Sequence, residues 1–323
     1  FAESLNGGLT VTTPGLAGSA WGAGDGVVEA LEFAEPQLFA PPQTPRKRVL
    51  VLGAGVAGIE AARIARGRGH DVEIWEKAQR VGGQIHLAVA APDKTEVQPV
   101  WDYRWSQLME MKVPVKCGVD ADAAMIKAFK PDFVVVATGS VPRAAPIDTS
   151  ALASDIAVMH AWDVFTSPER IAPGTSVTII GGGMVGVEVA DLLRLTDCDI
   201  QVLEMQATAA NGMARNNKFE LLERIAAAGV RVITQCRIES LSERHLTVKI
   251  GQAASTQLPI GQVLIFANGP RSNIDVVAAI EQVGVPYARV GDSHAPGDFL
   301  SAIRDGWMVG LSIDQQPFSG RTV

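Results

Sequence analysis

The sequence predicts an α/β protein built from two nested parallel-sheet units, on three observations. A short apolar strand, a glycine turn, a helix and a second strand follow one another twice in the chain. Each copy is completed by a further apolar run that ends in a small-residue turn. The second copy lies inside the span of the first, so the chain carries an internal duplication. Continuous apolar runs of this length suit strands buried on both faces, as in parallel sheets flanked by crossover helices. With 323 residues, 47% apolar and 20% charged, the chain is long enough for two domains and has a globular composition.

Residues 1–45 stand apart. They are rich in Gly and Ala, show little periodicity, and lead through Pro41-Pro42-Gln43-Thr44-Pro45, which favours extended backbone. We expect an arm and linker here, with a short helix over 27–34. Trp21, Phe33 and Phe39 suit either a docking element that orders on binding or a tail packed on its own domain. The chain opens at Phe1 rather than Met, so upstream residues, or a fragment of a longer chain, are expected.

The first unit should run from a strand at Arg48–Leu52 (RVLVL) through a helix over 59–68 to a strand over 71–75 (DVEIW). A helix over 95–111 places Trp101, Trp105 and Leu108 at i, i+4 and i+7, the spacing of one buried face, and we read them as core. The second unit repeats the order with a strand at Ser176–Ile180 (SVTII), a helix over 187–195 and a strand at Asp199–Leu203 (DIQVL). Runs over 132–137 (DFVVVA) and 262–267 (QVLIFA) end at Thr138-Gly139 and Asn268-Gly269 and read as matching terminal strands. The expected division is a first domain over 46–167 and 287–323, interrupted by an inserted domain over 168–286.

Several function classes are excluded. A net charge of −7, with no basic block longer than Arg46-Lys47-Arg48, does not suit a nucleic-acid surface. Cys117, Cys198 and Cys236 lie far apart, without the spacing of a dithiol site, an iron–sulfur cluster or a zinc site, so no metal is expected. No apolar run is long enough to span a bilayer, and the first residues lack the order of a signal peptide, which predicts a cytoplasmic protein without membrane contact.

The chemistry is concentrated in the glycine turns. Gly53-Ala54-Gly55-Val56-Ala57-Gly58 follows a strand and opens a helix, and Glu76 ends the next strand. Gly53 permits the tight turn, Gly55 lets a pyrophosphate approach the backbone, Gly58 allows close helix–strand packing, and the helix N-terminus favours the anion. Glu76 can accept hydrogen bonds from ribose hydroxyls. This is a Rossmann-like dinucleotide fingerprint, against the alternative of a glycine-rich turn in an ordinary α/β protein. Gly181-Gly182-Gly183-Met184-Val185-Gly186 repeats it, with Glu188 in the helix and Glu204 at the next strand end. An acid at Glu204 would repel a 2′-phosphate, and neither Met205 nor Gln206 supplies a cation, so NADH is favoured over NADPH. A duplicated fold can also keep such glycines for packing alone.

Residues beyond the turns resemble the two-dinucleotide flavoprotein superfamily, whose fold is glutathione-reductase-like. Glu76-Lys77-Ala78-Gln79-Arg80-Val81-Gly82-Gly83-Gln84 resembles its flavin-side loop, Ala137-Thr138-Gly139 its ATG strand end, and Val290-Gly291-Asp292 its late GD motif. The sequence is most similar to the C-terminal flavin half of the 2,4-dienoyl-CoA reductase and trimethylamine dehydrogenase group of old-yellow-enzyme relatives. The match runs from about 46 to 313 through RVLVLGAGVAGIEAARIARGRGHDVEIWEKAQRVGGQIHLA, PDFVVVATGSVPR, GGGMVGVEVADLL and VGDSHAPGDFLSAIRDG. In that group an FMN-binding (β/α)₈ barrel and a four-cysteine segment precede this half, and neither is in this sequence.

The resemblance implies FAD at Gly53, Ala54, Gly55, Ala57, Gly58, Glu76, Lys77, Gly83, Gln84, Ala137, Thr138, Gly139, Gly291 and Asp292, with the Asp292 carboxylate on the ribityl hydroxyls. It implies a nicotinamide cofactor at Gly181, Gly183, Gly186, Glu188, Glu204 and Gly269. A helix over 298–313 should face the flavin with its N-terminus. His86 and His294 are candidates near the flavin, with scaffold roles as the alternative, and Arg271 and Asn273 are read as fixing a turn. No catalytic residue is identified. The implied function is an FAD-containing electron-transfer subunit that relays electrons between FAD and NADH or a partner barrel subunit carrying FMN and an iron–sulfur cluster. The alternatives are an electron-output subunit of an amine dehydrogenase or demethylase, and a non-catalytic FAD- or ADP-binding scaffold.

Overall fold

The computed structural model describes residues 45–314. The arm, with the helix expected over 27–34 and its aromatic residues, lies outside them.

β1 (Arg48–Leu52) passes through the first glycine turn into α1 (Val56–Gly67) and β2 (Asp71–Glu76). Then follow α2 (Ile85–Ala88), α3 (Gln98–Glu110), β3 (Val115–Cys117), α4 (Ala123–Phe129) and β4 (Phe133–Val136). β1 is parallel to β2 on one side and to β4 on the other, with Val51 opposite Ile74 and Val135. Val49, Leu50 and Val51 are completely buried, and each such side chain contributes about 2 kcal/mol. On α3 the predicted stripe is inward, with Trp101 and Leu108 buried and Trp105 stacked on Trp101 at 5.6 Å.

From there β5 (Ser140–Pro142) leads to β6 (Ala157–His160) and α5 (Ala161–Thr166), then to β7 (Ser176–Ile180), α6 (Met184–Leu193) and β8 (Asp199–Leu203). Next come α7 (Arg215–Ala227) and β9 (Arg231–Ile233), the antiparallel group β10 (Cys236–Leu241), β11 (His245–Ile250) and β12 (Thr256–Pro259), and β13 (Val263–Phe266). The chain returns through β14 (Pro270–Ser272), which pairs antiparallel with β5, and ends with α8 (Val277–Val283), β15 (Tyr287–Arg289) and α9 (Phe299–Ser312).

Two five-stranded parallel sheets result, in the orders β15-β4-β1-β2-β3 and β6-β13-β7-β8-β9. The run at 262–267 forms β13, the last strand of its sheet in chain order, while the run at 132–137 forms β4, which β15 follows; both lie inside their sheets, next to the strand that precedes the glycine turn. Their side chains are buried throughout, which an edge position would not require. The second sheet begins earlier than the expected residue 168. β6, at 157–160, pairs with β13, and its mostly exposed pattern hides it from a reading based on apolar runs.

One face of each sheet is covered by helices. α1 packs against α9, where a Cβ at Gly306 or Gly310 would meet the backbone of Ala57 or the side chain of Ile64. The opposite faces differ. Ile126 and Phe129 of α4 and Ile280 of α8 cover the first sheet. Leu246 and Val248 of β11 cover the second.

Candidate functional site

The first glycine turn is closed by contacts that leave no room for side chains at its ends. Gly53 has φ +109°, its N–H donates to the Trp75 carbonyl at 2.7 Å, and a Cβ would collide with the Ala137 carbonyl at the end of β4. A Cβ on Gly58 would strike the Gly53 carbonyl. Gly55 is different. It sits at the N-cap of α1 with φ −81°, no side chain caps the helix, and a Cβ there would meet nothing within 4 Å. The helix N-terminus therefore opens onto space bounded by backbone N–H groups, a cradle suited to a pyrophosphate.

Glu76 borders this cradle. Its Oε2 accepts from the Ala54 N–H at 2.7 Å and its Oε1 from the Ala78 N–H at 2.8 Å. These bonds fix the carboxylate and leave lone pairs for hydroxyl donors. The loop after Glu76 folds back, with the Gly82 N–H on the Ala54 carbonyl at 2.9 Å and Gly83, at φ +54°, against Gly55. Lys77 is an exposed surface residue paired with Asp120 at 2.8 Å, and that hydrogen bond pushes its pKa up.

Farther along the same edge, Gln84, Ser140 and Asp292 form a cluster. Asp292 Oδ2 accepts from Gln84 Nε2 at 2.9 Å and from Ser140 Oγ at 2.7 Å, and Oδ1 accepts from the Gly297 N–H at 3.0 Å. Gln84 also donates to Ser140 at 3.0 Å. Gly291 abuts Ala57 of α1, which seats the GD motif beside the cradle. Thr138 Oγ1 donates to the Asn273 carbonyl at 2.6 Å, and the Asn273 N–H to the Gly139 carbonyl at 2.9 Å, so Asn273 ties the two returning loops together. Arg271 lies on β14 with its side chain exposed. His86 Nε2 is bonded to the Val81 carbonyl at 2.8 Å, a loop-fixing contact. His294 Nδ1 is buried and without a hydrogen-bond partner among the described residues.

The second turn repeats the first. Gly181 has φ +107°, its N–H donates to the Leu203 carbonyl at 2.8 Å, and a Cβ would collide with the Ala267 carbonyl. Gly186 lies against the Gly181 carbonyl, while Gly183, at the N-cap of α6 with φ −65°, faces open space. Glu204 accepts from the Gly182 N–H at 2.7 Å and the Gln206 N–H at 2.6 Å. The following loop folds back through the Ala210 N–H on the Gly182 carbonyl at 2.7 Å. Gly269 has φ +81°, and its carbonyl accepts from the Arg143 N–H across the crossover strands. Glu188 does not stand open at this turn: its carboxylate is taken by the Lys94 ammonium from the first unit.

Sequence reasoning missed Ser140, Asp93 and Lys94. Ser140 directly follows the ATG strand end, a position that could have drawn notice. Asp93 and Lys94 lie in a polar loop whose partners are distant in sequence. The three cysteines are all free: Cys117 is exposed, Cys198 half-buried and Cys236 buried. Among the described residues no group of His, Cys, Asp or Glu is arranged to hold a metal, and no helix is long and apolar enough to cross a membrane.

Comparison with known proteins bears out the resemblance. Over 284 residues the chain is 33% identical to a bilirubin reductase of Mediterraneibacter gnavus, covering 88% of this chain and 43% of that protein. It is 30% identical over 270 residues to an NADH oxidase of Thermoanaerobacter brockii, covering 83% and 41%. A solved 2-naphthoyl-CoA reductase complex superimposes with a TM-score of 0.74 at 25% identity, over 85% of this chain and 41% of that one. The chain thus spans less than half the length of these relatives. The family model described as pyridine nucleotide-disulphide oxidoreductase matches residues 47–293, and with the paired cradles in view the chain belongs to this family of FAD- and NAD(P)-binding flavin oxidoreductases.

Proposed function

We propose that the chain is the FAD-containing electron-transfer part of a larger oxidoreductase, relaying electrons between NADH and a partner region that carries the substrate site. The observation that carries this reading is the pair of open cradles, at Gly55 and Gly183, each bordered by a carboxylate anchored on two backbone N–H groups. A turn retained only for packing would need its first and last glycines and could fill the middle position.

When bound, FAD supplies the redox chemistry, exchanging a hydride with a nicotinamide and passing electrons onward. The chain's residues position and polarise. Gly53, Ala54, Gly55, Ala57 and Gly58, with the N-terminus of α1, receive the pyrophosphate, and Glu76 accepts from the ribose hydroxyls. Asp292, oriented by Gln84 and Ser140, accepts from the ribityl chain, with Gly83, the Ala137-Thr138-Gly139 strand end and Gly291 closing the site. In the second unit Gly181, Gly183, Gly186 and Gly269 shape the nicotinamide cofactor site. Glu204 selects NADH, because its carboxylate accepts from a 2′-hydroxyl and repels a 2′-phosphate. The name NADH oxidase borne by one relative supports the same donor. Coverage of about two-fifths of each relative supports a separate barrel region, with FMN and an iron–sulfur cluster, as the place of substrate chemistry.

Anaerobic mixing of the purified, flavin-loaded chain with NADH tests the reading. The flavin absorbance should bleach with NADH and much more slowly with NADPH. Flavin that stays oxidised with both would sink the relay and favour an electron-output subunit. A chain that binds no flavin would favour a scaffold.

A further inference from the structure

Beyond α2 the first unit's chain enters the other unit. Ala91 is buried in the core formed by the second sheet and its helices, and Leu87 and Ala90 pack against the same cluster. Two oppositely charged residues follow. Asp93 holds a left-handed backbone with φ +59°, a conformation aspartate tolerates better than most residues. Lys94 is paired with Glu188 on α6, whose side chain is only 12% exposed. Asp93 faces Arg224 on α7 at 3.3 Å.

Arg224 is itself held rigidly. Its Nε and Nη2 grip both oxygens of Asp191 at 2.9 and 2.6 Å, and Arg194 adds a third bond at 2.6 Å. Burial alone would raise the Asp191 pKa, but the two guanidiniums outweigh it and hold the carboxyl below its ordinary range. The pairing is directional. Shifting the loop by one residue would set either Asp93 against Glu188 or Lys94 against Arg224, a repulsive contact in each direction. The chain passes between the units at β5 and β14, which pair as a short antiparallel ribbon.

We propose that residues 87–94 are a clasp that holds the two cradles in a single mutual orientation, with Leu87, Ala90 and Ala91 packed on the second unit's core and Asp93 and Lys94 making two ion pairs of opposite polarity. Lys94 and Asp93 are positioning residues in this scheme. Their importance for the relay rests on the function proposed above, since transfer between two bound nucleotides tolerates little misplacement. The clasp itself does not, and its test uses no cofactor.

Cys117 on β3 and Cys198 beside β8 supply one labelling position in each unit, while Cys236 is buried and its thiol pKa is raised by that burial. Spin labels on these two cysteines of the full chain report the distance between the units by pulsed electron resonance. The parent chain should give one narrow distance. Lys94→Glu should add a second population of at least about one molecule in ten, and Lys94→Glu combined with Glu188→Lys should restore the single distance. Should Lys94→Glu not fold, Lys94→Met and a salt series to about 1 M, where screening acts within about 3 Å, should broaden the distribution instead. A distance unchanged by Lys94→Glu, or by both Lys94→Met and salt, would overturn the clasp, as would a folded charge-swapped chain that stays in two populations.

Discussion

The two glycine turns differ by 2° in φ at their first glycine, +109° at Gly53 and +107° at Gly181, and each collides with the same carbonyl position of a neighbouring strand end if given a Cβ. Each next acid binds the second residue of its own turn, and each following loop returns to the same carbonyl, through Gly82 in one unit and Ala210 in the other. Past that point the units part. The first continues into Gly83, Gln84 and the Asp292 cluster. The second continues into Asn211 and receives a lysine from its neighbour at Glu188. The glycines and the acid thus specify a cradle, and the residues that follow give the two cradles different surroundings.

The strongest way to break this equivalence is at the closed ends of the turns. Gly53→Ala and Gly181→Ala should each cost about 3 kcal/mol or more, from backbone collision plus an unfavourable φ. Denaturant unfolding measures both losses. A tolerant Gly181→Ala would show that the second turn is not closed as the first is.

The middle glycines separate ligand from fold. Gly55 and Gly183 have φ values that alanine adopts, with space around the Cβ. Alanine at either should change stability by less than about 0.5 kcal/mol. Gly55→Ala should weaken flavin retention about tenfold, equivalent to about 1.4 kcal/mol. Gly183→Ala should do the same to NADH binding. Flavin and NADH titrations would expose an exchanged assignment if each variant lost the other ligand.

The units should also fail at different acidities. His70, in the first unit, is fully buried, and its Nδ1 accepts from the Lys47 N–H at 3.2 Å. Burial lowers its pKa from the ordinary 6.5, and nearby Asp314 only partly offsets this. The unfolded histidine takes up a proton first, so stability is complete above about pH 6.5 and falls by up to about 1.4 kcal/mol per pH unit below it, until the folded pKa is reached. Asp191 in the second unit has its pKa depressed, so its contribution persists until the carboxylate range. Hydrogen exchange followed from pH 7 to 5 should loosen the β1–β2 end near His70 while α6 and α7 stay protected. Simultaneous loosening would contradict this difference.

The smallest effect concerns the returning loop. Ala210 is buried at φ +52°, where its counterpart Gly82 has φ +113°. Ala210→Gly should relieve the left-handed alanine, offset in part by the freer unfolded chain, for a net gain under about 1 kcal/mol in thermal unfolding. A loss would mean that the methyl group's packing outweighs its strain.

Much of the fold was legible because its signals are local. The strands at 48–52, 176–180 and 199–203 are continuous apolar runs, and the acid that anchors each turn lies 22 residues from its partner. The antiparallel group from β10 to β12 was not foreseen, since its alternation is interrupted by charged and polar positions and by a register shift between Ile238 and Ser240. β6 escaped notice because only Met159 among its four residues is buried.

By itself, then, the sequence determined two strand–glycine–helix–strand units, the closed and open positions of each turn, and the acid beside it, because backbone conformation and burial there follow from residues close in the chain. The tertiary structure alone decided that Ser140 meets Asp292 across 152 positions and that Lys94 meets Glu188 across 94. Polar residues in loops carry no periodic signal of their partners, and which of them pair depends on how the helices and sheets between them pack.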